Sequence, residues 1–279
     1  MHFLCCMIKY DKEDIMNIIC PICKQRLIKN EDSYSCRKGH SFDASKDGYL
    51  NLLVKQGHKE YGDTAVMLKA RNNFLNQGYY KPLGDMLIQI ISKKSIKHMI
   101  DSGCGQGYYT DMIKKALPSL DIIGVDISKQ AIKMAQKQNN DIFYIVASNQ
   151  RIPIEDSSAD LILNCFAPID HGEYKRLLRK NGVLITVTPG KRHLIQLKEI
   201  LYDKVYLNDV ANDVKDFKLI DSSLLTYDIK IDNRSMIQSL FTMTPYYYKT
   251  PISGKERLLM LNELDCTVEF VINIYKKGE

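Results

Sequence analysis

Long hydrophobic runs are absent from this sequence, although 45% of its 279 residues are hydrophobic. No stretch approaches the roughly 20 apolar residues that a membrane-spanning helix needs, so we expect a soluble protein that makes no membrane contact. The apolar segment Met1–Ile8 lacks a basic start and a small-residue cleavage site, which makes it a poor signal peptide. Internal repeats and low-complexity tracts are absent too. The length then allows one full-sized domain and one small module.

A disulfide framework is also missing, because the eight cysteines are not spread over a small secreted domain. Three cysteines cluster with a histidine, whereas Cys104, Cys165 and Cys266 stand singly in apolar or loop segments. This distribution suits a reducing cytosol, so we predict a cytoplasmic location. The net charge of +6 favours an acidic partner only mildly.

The three clustered cysteines and the histidine form two close pairs, Cys20-Pro-Ile-Cys23 and Cys36-Arg-Lys-Gly-His40, which twelve residues separate. Four soft or borderline ligands at this spacing are typical of tetrahedral zinc, and no coordination position is left for a reactant. Redox thiols in the C-x-x-C pair, or four unrelated residues, are the alternatives. We predict a structural Zn²⁺ site in a module whose small core makes metal binding a large part of the folding energy.

A glycine-rich loop follows a later apolar segment, in the run Met99-Ile-Asp-Ser-Gly-Cys-Gly-Gln-Gly-Tyr-Tyr109. Its glycines allow a tight turn and close backbone approach to a ligand, and the helix that follows offers free N–H groups. A dinucleotide fingerprint would need the third glycine one place later, so the D-x-G-x-G-x-G spacing favours S-adenosylmethionine (SAM). An ordinary tight turn is the alternative. The residues predicted here to bind SAM are Asp101, Gly103, Gly105, Gly107 and Tyr108.

A second acidic residue ends the next buried-strand pattern, Leu120–Asp126. Asp126 stands about twenty residues past the glycine loop, where a carboxylate accepts hydrogen bonds from ribose hydroxyls in doubly wound sheets. The alternative role for Asp126 is an N-cap of the following helix. Ser128 is itself a suitable cap, which would leave Asp126 to bind the cofactor.

Periodicity divides the chain into four parts: a disordered leader over residues 1–16, a zinc-binding module over 17–57, a helical linker over 58–95 and a class I SAM-dependent methyltransferase domain over 96–279. The leader has a start-site artefact as its alternative, since Met16 lies four residues before Cys20. The last domain alternates strands and helices, which predicts a Rossmann-like, mostly parallel α/β sheet with a C-terminal antiparallel hairpin. Strands are expected near 97–101, 121–126, 142–147, 159–164, 182–187, 222–231 and 267–275.

Several further motifs accompany the zinc knuckle in a fixed order: Gly39-His-Ser-Phe-Asp43, Lys46-Asp-Gly-Tyr-Leu-Asn-Leu-Leu53, Gly62-Asp63, Gly78-Tyr-Tyr-Lys-Pro-Leu83, Ala167-Pro168, Thr188-Pro-Gly-Lys-Arg-His-Leu194 and Met243-Thr-Pro-Tyr246. Together they resemble the bacterial 23S rRNA guanine-N1 methyltransferases of the RlmA type. The resemblance runs from about residue 17 to the C-terminus.

The resemblance implies an enzyme that methylates N1 of a guanine in a hairpin loop of 23S rRNA, using SAM as cofactor. It also implies a zinc module that grips the RNA and a homodimer that forms a cleft for it. Cys20, Cys23, Cys36 and His40 match the family's zinc ligands, and the positions expected to contact SAM are Tyr80, Gly105, Gln106 and His193. The sequence departs from the family at Ser102, where a larger aliphatic residue is usual, and at Gln106, where Glu is common. Either departure is expected to weaken SAM affinity.

The acceptor is expected at the end of the fourth strand, where the chain reads Asn164-Cys-Phe-Ala-Pro-Ile-Asp170. Asn164 is predicted to offer its amide to the guanine edge and Phe166 a stacking surface. Asp170 is a candidate proton acceptor, and its alternative role, which we favour, is an N-cap of the next helix. Cys165 is interpreted as a small buried residue and not as a nucleophile.

Two other functions are compatible with these patterns. One is a SAM-dependent methyltransferase for a small molecule or tRNA, in which the zinc module only braces the fold. The other is a non-catalytic RNA-binding protein that keeps the SAM fold as a scaffold. The intact acidic residues and glycines of the cofactor site argue against the second, and a steep salt dependence of RNA affinity would argue against a small-molecule acceptor.

Overall fold

The computed structural model describes residues 16–54, 62–210 and 213–278. The predicted leader lies outside the described residues except for Met16. That residue is 3% exposed, and its backbone N–H donates to the Asp121 carboxylate over 3.4 Å. Met16 therefore packs into the fold, one residue before the predicted start of the zinc module.

The N-terminal module is built on three short antiparallel strands, β1 (Ile28–Lys29), β2 (Ser33–Ser35) and β3 (Ser41–Asp43). Their side chains are exposed or only partly buried, because the strands are short and polar. The few buried side chains beneath them include Ile18 and Leu27. So small a core needs a further source of stability, as a bound metal provides.

Strand β4 (Leu50–Asn51) leaves the module and joins the main sheet. It pairs in parallel with β7 (Phe143–Val146), with Leu50 opposite Ile145 and completely buried. The predicted boundary after residue 57 assigned this strand to the zinc module. In the structure, β4 is the edge strand of the larger sheet, so this strand connects the zinc module to the main sheet.

Two helices follow, α1 (Ala65–Asn76) and α2 (Lys81–Ser92). Thr64 caps α1 by accepting a hydrogen bond from the Met67 backbone N–H over 3.4 Å. Pro82 stands in the first turn of α2, where its missing N–H is not needed. Both helices lie within the predicted helical linker, and their buried side chains join one hydrophobic core with side chains of the main sheet.

The remaining strands and helices alternate as predicted. The strands are β5 (His98–Ser102), β6 (Asp121–Asp126), β8 (Ala159–Cys165), β9 (Leu178–Pro189), β10 (Phe217–Ile231) and β11 (Leu264–Lys277). The helices are α3 (Tyr108–Ala116), α4 (Lys129–Gln138), α5 (His171–Leu177), α6 (Ile195–Leu201), α7 (Arg234–Thr242), α8 (Tyr246–Lys249) and α9 (Ile252–Leu259).

The main sheet has eight strands in the order β10-β11-β9-β8-β5-β6-β7-β4. β5 lies between β6 and β8 and is parallel to both. The chain crosses to opposite sides of β5, so the carboxyl end of β5 is the topological switch point, where α/β sheets bind their ligands. The predicted antiparallel pair of β10 and β11 is confirmed, and α7, α8 and α9 connect the two strands.

Apolar side chains cover both faces of the sheet, as a parallel sheet between helix layers requires. The predicted Rossmann-like fold is confirmed, and the strand positions differ mainly at their ends. β9 begins at Leu178, about four residues before the predicted start, because α5 leads directly into it. Within the described residues, the helices are all too short or too polar to cross a membrane.

Candidate functional site

The four predicted zinc ligands converge on one point in the N-terminal module. The ligand atoms of Cys20, Cys23, Cys36 and His40 all lie within 4.8 Å of one another. His40 Nδ1 is 3.3 Å from Cys36 Sγ and 3.5 Å from Cys20 Sγ, and Cys23 Sγ is 3.5 Å from Cys36 Sγ. Tetrahedral zinc spaces neighbouring sulfur and nitrogen ligands by about 3.5–3.8 Å. The donor set and its geometry therefore fit structural zinc.

The glycine loop lies at the switch point and is tightly packed. Gly103, Gly105 and Gly107 have φ angles of +82°, +55° and +80°, a region that favours glycine. A Cβ on Gly103 would lie 2.4 Å from the Ala167 Cβ, and one on Gly107 would lie 2.9 Å from the Ala135 Cβ. The loop therefore needs glycine both for its conformation and for its close neighbours.

The two predicted acidic residues flank this loop. Asp126 accepts hydrogen bonds from the backbone N–H groups of Gly105 (2.9 Å) and Ser128 (2.8 Å). The helix cap is Ser128, whose hydroxyl accepts from the Ala131 N–H over 3.2 Å. Burial raises the pKa of Asp126 above its usual value, and the two N–H donors oppose that shift. Asp126 therefore holds the turn against the glycine loop and is not itself the helix cap.

Asp101 is the more deeply buried acid, at 2% exposure. Burial raises its pKa to about 7, although a 2.6 Å hydrogen bond from the Thr110 hydroxyl lowers it. Burial makes the ionised form of an unpaired carboxylate unfavourable, because the charge loses its hydration. A positively charged ligand group beside Asp101 would stabilise that form.

A cavity of about 1500 Å³ opens above this loop. Eight of the nine predicted cofactor-binding residues line it, and Gly107 alone does not. Phe166 and Asp170 also line it, so the cavity joins the predicted cofactor and acceptor ends. On its other side it is lined by Pro21 and by residues 51–54, which places it beside the zinc module.

Tyr80 and His193 form a buried pair within the cavity, 5% and 7% exposed. The Glu269 backbone N–H donates to His193 Nδ1 over 3.2 Å, so the neutral ring carries its proton on Nε2. His193 Nε2 lies 3.3 Å from the Tyr80 hydroxyl oxygen and donates to it. Burial lowers the pKa of His193 to about 4, which keeps the ring neutral near pH 7. The Tyr80 proton is then available to a ligand.

Gln106 is 3% exposed and faces the same cavity. Neither its amide nitrogen nor its amide oxygen has a hydrogen-bond partner among the described residues. Buried amides are nearly always hydrogen-bonded, so this pair of atoms indicates a ligand contact. The buried amide of Gln106 lines the cavity, as the prediction that this residue contacts SAM requires.

At the acceptor end, Phe166 follows β8 with a φ of +57°, unusual for an aromatic residue. Its ring is 43% exposed and packs 5.4 Å from the Phe270 ring centroid, which leaves one face open to the cavity. Asp170 caps α5, because its carboxylate accepts from the Glu173 N–H over 2.9 Å. The predicted N-cap role of Asp170 is confirmed.

Comparison with known proteins agrees with both parts of this architecture. Residues 18–60 match the family model of the RlmA N-terminal zinc ribbon, and residues 99–182 match a methyltransferase-domain model. A Bacillus subtilis (strain 168) protein named "Putative 23S rRNA (guanine-N(1)-)-methyltransferase YxjB" is 32% identical over 281 residues, covering 92% of this chain and 96% of the relative. The chain belongs to the RlmA-type rRNA methyltransferase family. The 23S rRNA (guanine(748)-N(1))-methyltransferase of Streptomyces fradiae is 30% identical and covers 68% of this chain and 69% of that protein.

Asn164 of this RlmA-type protein does not lie where the sequence analysis expected it. It is 1% exposed, and its Nδ2 donates to the Tyr174 hydroxyl (2.7 Å) and the Pro168 carbonyl (3.3 Å). Successive side chains of a strand point to opposite faces, so Cys165 faces the cavity while Asn164 faces α5. The structure therefore separates Asn164 from the cavity, and the predicted contact with the guanine edge is wrong.

Ser102 faces the same side as Asn164. Its Oγ accepts from the Tyr174 hydroxyl over 2.8 Å, and it is completely buried outside the cavity. Where the family usually has a larger aliphatic residue, Ser102 thus forms a hydrogen bond with Tyr174 of α5. A direct effect of Ser102 on the SAM affinity of this RlmA-type protein has no geometric basis.

Two cavity-lining residues, Arg71 and Tyr109, were not predicted as site residues. Arg71 forms an ion pair with Asp63, and it donates to the Met243 carbonyl over 3.3 Å. Tyr109 also lines the cavity of this RlmA-type protein, with a buried hydroxyl. The helical spacing of α1 gave no signal for Arg71, because its partners lie outside the helix. Tyr109 was adjacent to the glycine loop, and that adjacency was a usable signal.

Proposed function

We propose that this protein transfers the methyl group of SAM to N1 of a guanine in a hairpin loop of 23S rRNA. The observation that carries the proposal is the family relationship over 92% of the chain, together with an intact zinc cluster. A large cavity that joins the cofactor loop to an exposed aromatic ring supports it.

Within this proposal, the cofactor lies across the switch point. The glycine loop receives its amino-acid end and Asp126 its ribose hydroxyls. The proposed contacts are Tyr80, Asp101, Gly103, Gly105, Gln106, Gly107, Tyr108, Asp126 and His193. His193 acts by fixing the Tyr80 hydroxyl through its Nε2 proton, since its Nδ1 is occupied by the Glu269 N–H.

Guanine N1 carries a proton at neutral pH, which must leave as N1 attacks. SAM supplies a methyl group already activated on a sulfonium, so positioning the guanine provides much of the rate. Phe166 offers the face on which the guanine stacks. Asp170 uses one carboxylate oxygen as a helix cap and can accept the N1 proton with the other.

Asn164 has a different role in this scheme. Its hydrogen bond to the Pro168 carbonyl holds the segment 166–168 against β8. Asn164 is therefore a positioning residue for Phe166 and makes no contact with the guanine. Loss of its amide would displace the stacking face without removing it.

We further propose that the zinc module grips the RNA and that the protein acts as a homodimer in the cytoplasm. Arg37 and Lys38 are exposed next to the zinc ligands, and Pro21 of the same module lines the cavity. Basic side chains at that place suit phosphate contacts close to the flipped base. Sedimentation equilibrium with and without the RNA hairpin tests the dimer.

The decisive experiment is methyl transfer from labelled SAM to protein-free 23S rRNA that lacks the modification. tRNA serves as the control acceptor, and nucleoside mass spectrometry identifies the product. N1-methylguanosine in 23S rRNA alone is the expected result. Transfer to tRNA or to neither RNA, by a protein that binds SAM and zinc, would overturn the proposed acceptor.

A further inference from the structure

The Tyr109 hydroxyl is a buried polar group that the proposed function leaves unused. It lines the large cavity and has no hydrogen-bond partner among the described residues. Buried hydroxyls in proteins are almost always hydrogen-bonded, and each exception calls for an explanation. In a ligand cavity, the ordinary explanation is that the partner belongs to the ligand.

The position of Tyr109 identifies the part of the ligand that it meets. It is the second residue of α3, directly after the glycine loop that receives the amino-acid end of SAM. Burial and then the nearby Cys165 thiol and Tyr80 hydroxyl raise the pKa of Tyr109 well above its usual value. The hydroxyl therefore stays protonated and lies in the same corner as Tyr80.

The amino-acid end of SAM carries a carboxylate, and few positively charged side chains line the cavity near Tyr80 and Tyr109. Of the arginines that line the cavity in the described residues, Arg71 is paired with Asp63. Arg151 lies on the loop after β7, two strands away from β5, with an exposed side chain. His193 is neutral, as its lowered pKa of about 4 requires. Neutral donors must therefore serve the carboxylate.

Two phenols fit this requirement. The Tyr80 oxygen accepts a hydrogen bond from His193 Nε2, so its own proton is free to be donated, and the Tyr109 proton has no acceptor among the described residues. Two donors in one corner match the two oxygens of a carboxylate. We propose that the Tyr109 hydroxyl donates a hydrogen bond to the carboxylate of the SAM methionine moiety, beside a second bond from Tyr80.

The test compares two ligands that differ only in that carboxylate. S-adenosylhomocysteine carries it, and decarboxylated S-adenosylhomocysteine keeps the amino group without it. Calorimetry on zinc-loaded full-length protein measures both affinities for the wild type and for Tyr109→Phe. We expect the substitution to weaken S-adenosylhomocysteine binding roughly tenfold to a hundredfold, the usual range for a hydrogen bond to a charged group. The affinity for the decarboxylated ligand should change less than about twofold, because nothing is left for the hydroxyl to bind.

Tyr144→Phe is the matched control. Tyr144 is completely buried, and its hydroxyl, like that of Tyr109, has no hydrogen-bond partner among the described residues, but it lies under Gly107 and outside the cavity. This variant should leave both affinities unchanged. Equal losses for the two ligands in Tyr109→Phe would mean that Tyr109 only shapes the cavity, and no loss for either would mean that it makes no ligand contact. Either outcome overturns the proposal. No RNA is present, so the proposed acceptor can fail without affecting this result.

Discussion

At the scale of single residues, Gly103 meets two demands at once, as Gly107 of the same loop does. Its φ of +82° is a backbone conformation that side chains rarely adopt, and its missing Cβ leaves room for Ala167. Gly78 has the same φ of +82° with nothing within 4 Å of a Cβ. The pair therefore separates the cost of backbone conformation from the cost of close packing.

Gly103→Ala is expected to destabilise the protein more than Gly78→Ala does. The left-handed conformation lowers the unfolding free energy of both variants by about 1–2 kcal/mol. Overpacking against Ala167 lowers that of Gly103→Ala by about 1–3 kcal/mol more. Urea unfolding of the two variants measures the difference. Gly103→Ala should also weaken S-adenosylhomocysteine binding, whereas Gly78→Ala should not. Equal destabilisation of the two variants would show that the loop yields to the extra methyl group.

Asp101 makes the stability of the ligand-free protein depend on pH in an unusual direction. Its pKa rises from 3.8 in the ordinary state to about 7 in the folded chain. Between those values the folded chain holds a proton that the unfolded chain has released. The contribution of Asp101 to the unfolding free energy is therefore present at low pH and lost as the pH rises to about 7.

In Asp101→Asn this contribution disappears, while the asparagine oxygen can still accept from Thr110. The unfolding free energy of the variant relative to wild type should rise by up to about 1.4 kcal/mol per pH unit from about pH 4 to pH 7. Urea unfolding of both ligand-free proteins across that range gives the comparison. Parallel pH curves would contradict the raised pKa.

At the scale of elements, the zinc module depends on its metal because its three short strands bury little apolar surface. Cys36→Ala removes one of four ligands and is expected to lower the zinc content well below one ion per chain. Trypsin should then cleave rapidly within residues 16–54, where lysines and arginines are exposed. Zinc analysis and timed proteolysis measure the two effects.

Cys266→Ala provides the comparison for this variant. Cys266 is 1% exposed in β11 and lies outside the metal cluster, so its loss removes a buried thiol without removing a ligand. This variant should keep its zinc, and its zinc module should stay resistant to trypsin. Full zinc content in Cys36→Ala would show that the cysteine is dispensable and that the site is not the predicted one.

The alternation of side chains along a strand determines which residues of β8 face the cavity. β8 is buried on both faces, so its apolar residues do not reveal which side meets the cofactor. Asn164 and Cys165 were therefore indistinguishable in sequence, although only Cys165 faces the cavity. The helix caps Ser128 and Asp170 could be predicted from the sequence, because a cap depends on the residues next to it.

At the scale of the whole molecule, the sheet order places the zinc module and β10 at opposite edges. If the zinc module binds RNA, a positive charge on the module should contribute more to RNA affinity than one on β10. Arg37→Gln is expected to reduce the slope of log affinity against log salt concentration by about 0.7, the loss of one phosphate contact on a single-stranded loop. Fluorescence anisotropy with a 23S rRNA hairpin at several salt concentrations measures the slope.

Lys218→Gln is the matched variant, because it removes the same charge from an exposed position on β10. Its slope should equal that of the wild type. Equal reductions in both variants would show that RNA responds only to the net charge of +6. Such a result would remove the zinc module from the RNA interface.

The sequence by itself determined the zinc ligands, the glycine loop, the helix caps Ser128 and Asp170 and the α/β class, because each depends on residue types at short, fixed spacing. Only the tertiary structure decided the rest. It turned Asn164 away from the cavity, joined β4 of the module to the main sheet, and brought Tyr80, Tyr109 and His193 together from distant segments. Such contacts arise when packed layers fix which faces meet, and no local spacing records that choice.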